Sequence, residues 1–331
     1  MTDHGLLTRR GLLRSAGAVA IGATVSTRSA VAADYPDRPV RIIAPFAAGG
    51  PSDLLSRLLS VKLGEALGGT FIVENRPGAG SNIGTAAVAR SAPDGYTVLL
   101  TSSAFVVNPG FYKQVPYDPV KDFAPVAELV TSPNVFIATP ASGINSMAEL
   151  VARARQKPET LNYASAGIGT TPHLAVEWLK SIAGIGITHV PFAGAGPALQ
   201  AILSGTVPLA CASLPGAHPL ILNRDVVALA VTGSERWYDL PNVPTMIDVG
   251  YKDFVSDTFH GMWAPAATPP EIVERLAAVL LEALRPPAFR EQLRSLGFEV
   301  IGNGPDGLRR RIEIELPRYR DLIVKAGIER V

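Results

Sequence analysis

The chain has 331 residues, of which 47% are hydrophobic and 18% are charged, and its formal net charge is +1. This composition is too apolar for a disordered chain, and the single cysteine excludes a disulfide-rich scaffold. Acidic and basic residues nearly balance without a dense basic stripe, so we expect no nucleic-acid partner. The length exceeds what one hydrophobic core usually supports, which favours two domains.

The N-terminus has the features of an export signal. Arg9 and Arg10 precede a mildly apolar run at residues 15–25, which is too short to span a bilayer, and a small-x-small cleavage site ends at Ala32. Paired arginines before a weakly hydrophobic segment are typical of twin-arginine signals. We therefore predict that residues 1–32 are cleaved near Ala32 and that the mature protein is exported, with a short amphipathic helix as the alternative.

From residue 40 onwards, short apolar runs alternate with helical patterns. Strands are predicted at residues 40–46, 70–74 and 96–101, and helices at 52–67 and 81–90, which together form the β-α-β-α-β unit of a helix-covered parallel sheet. A proline-rich stretch follows, with extended pieces at 124–130 and 134–138. The alternation then resumes with a helix opening at residue 146, strands at 161–165, 187–192, 209–213 and 226–231, and helices at 172–182 and 197–203. A strand-like segment at 259–264 and three helical patterns complete the chain.

Two predicted helices begin with the pattern of a capping box. Ser146 is followed three residues later by Glu149, and Thr268 by Glu271, with proline at the first helical position of the second.

The two irregular stretches indicate two crossings between lobes. We assign residues 33–130 and 234–331 to a discontinuous first lobe, and residues 131–233 to a second lobe.

Four glycine-rich segments lie at predicted strand-to-helix junctions, at residues 45–53, 75–81, 165–171 and 192–197. Glycine lets the backbone approach a ligand closely, and the free N–H groups of a helix's first turn form an anion site without a charged side chain. Any one of these segments could be an ordinary connector. The four segments are shared between the two lobes, and such junctions cluster at the carboxyl ends of parallel strands. Together they therefore favour a ligand-binding cleft between the lobes.

Residues for catalysis or cofactor binding are sparse. The spacing of Gly78, Gly80 and Gly84 departs from a dinucleotide fingerprint, and no carboxylate follows the next strand to hold a ribose. The histidines lack metal-ligand spacing, and Cys211 lies in an apolar strand, where we expect a buried structural thiol. His173 could either reach the cleft or cap its own helix.

Several motifs in chain order resemble the Bordetella uptake gene (Bug, or TctC-like) family of periplasmic solute receptors. They include Pro45-Phe46-x-x-Gly49-Gly50-x-x-Asp53, Glu74-Asn75-Arg76-Pro77-Gly78-Ala79-Gly80 and Tyr163-Ala164-Ser165-Ala166-Gly167-x-Gly169-Thr170. Later segments of the same kind are Val190-Pro191-Phe192 and Leu240-Pro241-x-Val243-Pro244-Thr245. The resemblance extends over residues 35–331.

The resemblance implies a two-lobed α/β fold of the type II periplasmic-binding-protein class, with a mostly parallel, helix-flanked sheet in each lobe. It further implies a non-enzymatic periplasmic receptor without a cofactor. Such a receptor captures a small organic anion (a di- or tricarboxylate, an amino acid or an aromatic acid) and delivers it to the membrane components of a tripartite tricarboxylate transporter. We expect a monomer.

The ligand-binding residues that we predict come from the glycine-rich loops and their surroundings. They are Phe46, Ala47, Ala48, Gly49, Gly50, Ser52, Asp53, Ser103, Ser165, Gly167, Gly169, Thr170, His173, Ala193, Gly194, Ser213 and Phe259. The loops at 46–53 and 165–171 contain no arginine or lysine, so backbone N–H groups should hold the anion, with hydroxyl donors from Ser165, Thr170 and Thr171. Asp53 is better placed to cap a helix.

Some positions depart from the family pattern. Many relatives have an acidic residue where Pro208 stands and often near Ala212, and aromatic residues near Phe259 and His260. The ligand's identity therefore does not carry over from the resemblance. Two alternatives stay open: an exported oxidoreductase folded around a cofactor, and a ligand-sensing receptor without a transporter.

Overall fold

The computed structural model describes residues 35–331, so the predicted export signal lies outside the described residues. The strands in this part of the chain are β1 Val40–Ala44, β2 Phe71–Asn75, β3 Thr97–Ser102, β4 Phe123–Ala138, β5 Asn162–Ser165, β6 Thr188–Pro191, β7 Leu209–Ser213, β8 Val227–Val231, β9 Asp257–Pro265 and β10 Glu299–Asn303. The α-helices are α1 Pro51–Leu67, α2 Asn82–Ala89, α3 Ala104–Phe111, α4 Met147–Gln156, α5 Thr171–Ala183, α6 Ala195–Leu203, α7 Leu214–Leu222, α8 Pro270–Ala283, α9 Pro287–Ser295 and α10 Pro305–Lys325. Among residues 35–331, no helix is long and apolar enough to cross a membrane.

Strand β4 is shared by two groups of strands, one in each lobe. Its residues 123–133 pair with β9, and its residues 134–138 pair with β7 on one side and β8 on the other. The first group runs β2-β1-β3-β9-β4 with β10 added to β4, and the second runs β8-β4-β7-β5-β6. Strands β2-β1-β3 and β7-β5-β6 are parallel within their groups. The predicted two-lobed α/β fold is confirmed.

Each group of strands carries a hydrophobic cluster on both faces, because successive strand residues point in opposite directions. On β1, Ile42 packs in one cluster of the first lobe, whereas Ile43 packs in the other. On β4, Phe136 and Ile137 divide in the same way between the two clusters of the second group. Two helix-covered faces per lobe explain why the strands are apolar runs and do not alternate with polar residues.

Cys211 of β7 lies inside one of these clusters and is only 1% exposed. Burial raises the pKa of its thiol, so the thiol stays protonated and unreactive at neutral pH. The expected structural role of this cysteine is confirmed.

Residues 234–256 form an irregular segment between β8 and β9. Met246 and Phe254 of this segment pack in the same cluster as Phe136 of the second group. The Met246 N–H also donates a hydrogen bond to Val231 O at 2.9 Å. The segment is therefore attached to the second group of strands until β9 begins at Asp257.

Four predictions about individual elements need correction, and one of them is that helix α3, which contains Pro109, was missed. The extended pieces at 124–130 and 134–138 are one strand, β4, because Pro125 and Pro133 sit in the ladder instead of ending it. Helix α7 was missed because prolines at positions 215 and 219 and the glycine at 216 normally indicate a turn and not a helix. Strand β10 was missed because it is short and mostly exposed.

Only one of the two capping boxes exists. Ser146 Oγ accepts the Glu149 N–H at 3.2 Å at the start of α4, as predicted. At α8 the prediction is wrong, because the helix begins at Pro270 with Pro269 as its N-cap and without a side-chain cap. Thr268 Oγ1 is buried and has no hydrogen-bond partner among the described residues.

This difference gives a matched test of stability. We expect Ser146→Ala to lower the free energy of unfolding by about 1 kcal/mol, since the cap is lost. Thr268→Val should leave it unchanged or raise it, because an unpartnered buried hydroxyl is replaced by a methyl group of similar shape. Urea unfolding of both variants measures the difference. Equal destabilisation would contradict the assignment at Thr268.

Candidate functional site

A cleft lies between the two lobes where several strands end and helices begin. Its empty volume is about 380 Å³, which suits a small ligand. Its lining residues are Phe46, Gly50, Pro51, Ser52, Ser102, Ala166, Thr170, Thr171, Pro172, Ala195, Ser213, Thr258 and His260.

Four helices begin at this cleft. Pro51, Thr171 and Ala195 are the first residues of α1, α5 and α6, and Ser213 is the N-cap of α7. The first N–H groups of a helix have no partner within the helix, and its N-terminus carries about half a positive charge. None of the described residues that line the cleft has a charged side chain. The positive potential of the cleft therefore comes from helix ends.

The first contact between the lobes, here called seam one, joins the loop after β1 to the start of α6. The Ala47 N–H donates a hydrogen bond to Ala193 O at 3.0 Å. A Cβ atom added at Gly194 would lie 2.9 Å from Ala47 N, and one added at Gly196 would lie 2.8 Å from Ala48 O. Seam one is thus a backbone-to-backbone contact that side chains at these two positions would prevent.

The second contact, here called seam two, joins the loop before α2 to the loop before α5. A Cβ atom added at Gly80 would lie 2.1 Å from Ile168 O, and one added at Gly169 would lie 2.0 Å from Asn108 Oδ1. The Tyr112 hydroxyl donates a hydrogen bond to Ile168 O at 3.3 Å. Seam two is thus also a close contact that a side chain at Gly80 would prevent.

The floor of the cleft is a chain of buried polar side chains. Thr258 Oγ1 is hydrogen-bonded to Thr171 Oγ1 and lies 3.1 Å from Ser213 Oγ. It also lies 2.8 Å from Oδ1 of Asn134, which is fully buried where β4 passes from one lobe to the other. The cleft and the crossing between the lobes therefore share one hydrogen-bond network.

His260 lies on the same face of β9 as Thr258, two residues further along. Its Nε2 atom lies 3.2 Å from Ser52 Oγ in the first turn of α1, and its Nδ1 atom has no partner among the described residues. Burial lowers the pKa of His260 to about 3, so its ring is neutral at physiological pH. It therefore offers the cleft hydrogen bonding and no charge.

Asp53 holds the first glycine-rich loop and does not line the cleft. Its carboxylate accepts the Gly49 N–H at 3.0 Å and forms an ion pair with Arg57 at 2.9 Å. Burial raises the pKa of Asp53, but hydrogen bonds from Arg57 and Gly49 outweigh this effect, and the pKa is lowered. The Asp53 carboxylate therefore stabilises the conformation of the loop.

His173 supports seam two. Its ring stacks on His189 at 4.2 Å between centroids and meets the Phe111 ring of the other lobe edge-on at 4.9 Å. Its Nδ1 atom accepts the Gly169 N–H at 3.4 Å. Ser165 Oγ lies 2.7 Å from His189 Nε2 on the same side. Neither His173 nor Ser165 lines the cleft.

The predicted ligand-binding residues separate into groups with different positions. Phe46, Gly50, Ser52, Thr170 and Ser213 line the cleft. Ala47, Ala48, Ala193 and Gly194 lie at seam one, and Gly167 and Gly169 at seam two. Ser103 and Phe259 are buried beneath the cleft, where the Ser103 N–H donates to Phe259 O at 2.8 Å.

Eight lining residues are absent from the predicted ligand-binding set, and Thr258 and His260 are the two that lie on β9. A sequence signal was present, since they are polar residues at alternate positions of an apolar strand and therefore share one of its faces.

Comparison with known proteins identifies the family. The sequence matches the family model of the tripartite tricarboxylate transporter family receptor, TctC, over residues 55–328. The chain belongs to this family. The periplasmic binding protein BugD is 38% identical with a TM-score of 0.86, and the alignment covers 89% of this chain and 99% of BugD. The resemblance that the sequence motifs carried is thereby confirmed.

Two further relatives from this family have been solved with ligands. R. palustris Rpa4515 with adipate is 34% identical with a TM-score of 0.86, covering 89% of this chain and 99% of that protein. MatC (Rpa3494) from Rhodopseudomonas palustris with bound malate is 32% identical with a TM-score of 0.84. The alignment covers 87% of this chain and 100% of MatC. The matching family model is that of a transporter receptor, and BugD is a periplasmic binding protein.

The glycine seams predict a specific effect on lobe closure. In Gly80→Ala, the new methyl group should push Ile168 away and separate the lobes, so the radius of gyration in small-angle scattering should increase. Gly68→Ala is the control, because Gly68 has a similar φ of +69° against +59° but no atom within 4 Å of an added Cβ. Both variants should lose about 1 kcal/mol from backbone strain. Identical scattering of the two variants would argue against a seam at Gly80.

The neutral histidines predict a pH dependence of stability. Burial lowers the pKa of His173, His189 and His260 to about 3, whereas an unfolded histidine titrates near 6.5. Below about pH 6.5 the unfolded state therefore binds protons that the folded state does not. The free energy of unfolding should be constant above about pH 7 and should fall on acidification, by up to about 1.4 kcal/mol per pH unit for each histidine.

Thermal melting between about pH 5 and pH 7.5 tests this expectation. His260→Gln should show a shallower decrease than the unsubstituted protein, because one of the three titrating groups is removed. An unchanged slope would mean that His260 does not contribute.

Proposed function

We propose that this chain is a periplasmic receptor that captures a small carboxylate in the cleft between its lobes and delivers it to the membrane components of a tripartite tricarboxylate transporter. The observation that carries the proposal is the convergence of four helix N-termini on a cleft whose lining has no charged side chain. Adipate in Rpa4515 and malate in MatC support the same class of ligand.

The energetics favour an anion in this cleft. A cation would be repelled by the positive ends of four helices, and no acidic side chain lines the cleft to offset that repulsion. A carboxylate can accept several free N–H groups, and each hydrogen bond to a charged group contributes about 1.5–3 kcal/mol. Three or four such bonds are sufficient for micromolar affinity, which corresponds to about 8 kcal/mol.

We further propose that the lobes move as rigid bodies about the crossings at residues 133–134 and 256–257. The sequence alone suggested that the second lobe ends at residue 233. The packing of Met246 and Phe254 favours a lobe that extends from residue 131 to about residue 256, with lobe one formed by residues 33–130 and the remainder. Two crossing segments between separate cores are typical of hinge closure.

Delivery to the transporter requires export, for which the twin-arginine segment and the site near Ala32 are the sequence basis. We propose that the mature chain acts as a monomer in the periplasm.

A ligand panel tests the proposed function. Di- and tricarboxylates, amino acids and aromatic acids should be screened by thermal shift, and each hit compared with its amide or ester derivative at every carboxyl group. At about 100 times Kd, a ligand should stabilise the protein by about 2.7 kcal/mol, which shifts Tm by several degrees. Derivatives without any carboxylate should bind much more weakly. Equal binding of a fully uncharged derivative would contradict the anion site.

A further inference from the structure

The direction of the hydrogen bonds at the cleft floor limits what the ligand can present there. We infer that the ligand carries an uncharged hydrogen-bond donor, a hydroxyl or a carboxamide, at the end of the cleft formed by Thr171 and Ser213, and its carboxylate elsewhere. This inference deepens the proposed function and rests on it.

The orientation of the Asn134 side chain is the starting point. Asn134 is fully buried, and its Nδ2 atom lies 3.4 Å from the backbone oxygen of Ser256 and 3.2 Å from Ser256 Oγ. A backbone carbonyl only accepts hydrogen bonds, so the NH₂ group must face Ser256. The carbonyl oxygen of the Asn134 amide therefore faces Thr258.

This orientation of Asn134 determines where the proton of the Thr258 hydroxyl points. It has one proton, and the acceptor Asn134 Oδ1 lies 2.8 Å away, so Thr258 donates to Asn134. Thr258 Oγ1 can still accept two hydrogen bonds. Its two other neighbours are the hydroxyls of Thr171 and Ser213. With its own proton used, Thr258 accepts from Thr171, and the Ser213 proton faces either Thr258 Oγ1 at 3.1 Å or Asn134 Oδ1 at 3.5 Å. In either case none of these three protons faces the cleft.

Thr171 and Ser213 consequently present only lone pairs to the cleft that they line. The Thr171 proton points to Thr258 and the Ser213 proton to Thr258 or Asn134, and neither hydroxyl receives another hydrogen bond from the described residues. The same applies to Thr170, whose hydroxyl donates to Gly167 O at 2.8 Å. The threonine hydroxyls that the sequence suggested as donors therefore act as acceptors.

The helix N-termini beside Thr171 and Ser213 determine which charge the ligand group can carry there. Thr171 begins α5 and Ser213 caps α7, so the positive ends of two helices lie at the same place and disfavour an ammonium group. A carboxylate there would place its oxygens against hydroxyl lone pairs. A neutral hydroxyl or carboxamide can donate hydrogen bonds to the Thr171 and Ser213 oxygens, and it carries no positive charge that the helix N-termini would repel.

The opposite end of the cleft suits the carboxylate. His260 and Ser52 lie there, two residues along β9 from Thr258, which is about 6.5 Å. A neutral His260 can donate its Nε2 proton to Ser52 Oγ, so that the Ser52 hydroxyl donates to the ligand together with the first N–H groups of α1. The separation matches the two ends of an acid with about four to six carbons.

The test uses matched ligands that share a carboxylate and differ only at the other end. The four-carbon set is 4-hydroxybutyrate, succinamate, succinate and 4-aminobutyrate, and the six-carbon set is 6-hydroxyhexanoate, adipamate, adipate and 6-aminohexanoate. In one of the sets, calorimetry should show the hydroxyl or the amide ligand binding about tenfold tighter than the diacid and the amino acid. Tighter binding of the diacid or the amino acid would overturn the inference while leaving the proposed carboxylate receptor standing. Failure of every ligand to bind would overturn both.

A variant tests the hydrogen-bond direction itself. Thr258→Val preserves the side-chain shape but frees the Thr171 proton to turn towards the ligand, whereas Ser213 can still donate to Asn134 Oδ1. The preference for the hydroxyl ligand over the diacid should then fall about tenfold. Thr268→Val is the matched control, because it makes the same change far from the cleft and should leave the preference intact. An unaltered preference in folded Thr258→Val would overturn the proton assignment.

Discussion

The close approach of backbone across the two seams is the constraint on which the rest of the structure depends. Each helix N-terminus attracts anions, and the attraction adds up where several of them face one cleft. At Gly194 and Gly80 the opposing main chains are too close for a side chain between them. The glycines therefore act on the cleft indirectly, because they let the lobes meet and so bring the N-termini of α1, α5, α6 and α7 to the same cleft.

The crossing between the lobes is polar where most buried crossings would be apolar. Asn134, Thr232 and Ser256 hydrogen-bond to each other where β4 changes lobe and where the chain returns to β9. Through Thr258 this cluster continues into the floor of the cleft. A rearrangement at this crossing would therefore alter hydroxyl groups that line the cleft.

The sequence predicted the β-α units and the importance of the glycine-rich loops because both follow from local patterns. Apolar runs, helix periodicity and glycine at strand ends are visible without tertiary information. It could not show that the four loops form two facing pairs, since Gly80 and Ile168 are distant in the chain. Nor could it show β4 as one strand, because Pro133 normally signals a break and is tolerated here in its pairing with Asp257.

The site was predicted in part for the same reason. Gly50, Ser52 and Thr170 were found because they belong to loops with a recognisable composition. Ser165 and His173 share that composition, but β5 and α5 turn their side chains towards His189 and away from the cleft. Which way a side chain points from a loop depends on the packing of both lobes.

The burial of Cys211 has a practical consequence for studying lobe motion. Its thiol is the sole cysteine of the chain, and it is sealed in a hydrophobic cluster in protonated form. A cysteine introduced on the surface of each lobe would therefore be free of competing reactions with maleimide dyes or spin labels. Distances between such label pairs would follow opening and closing in solution without first removing a native residue.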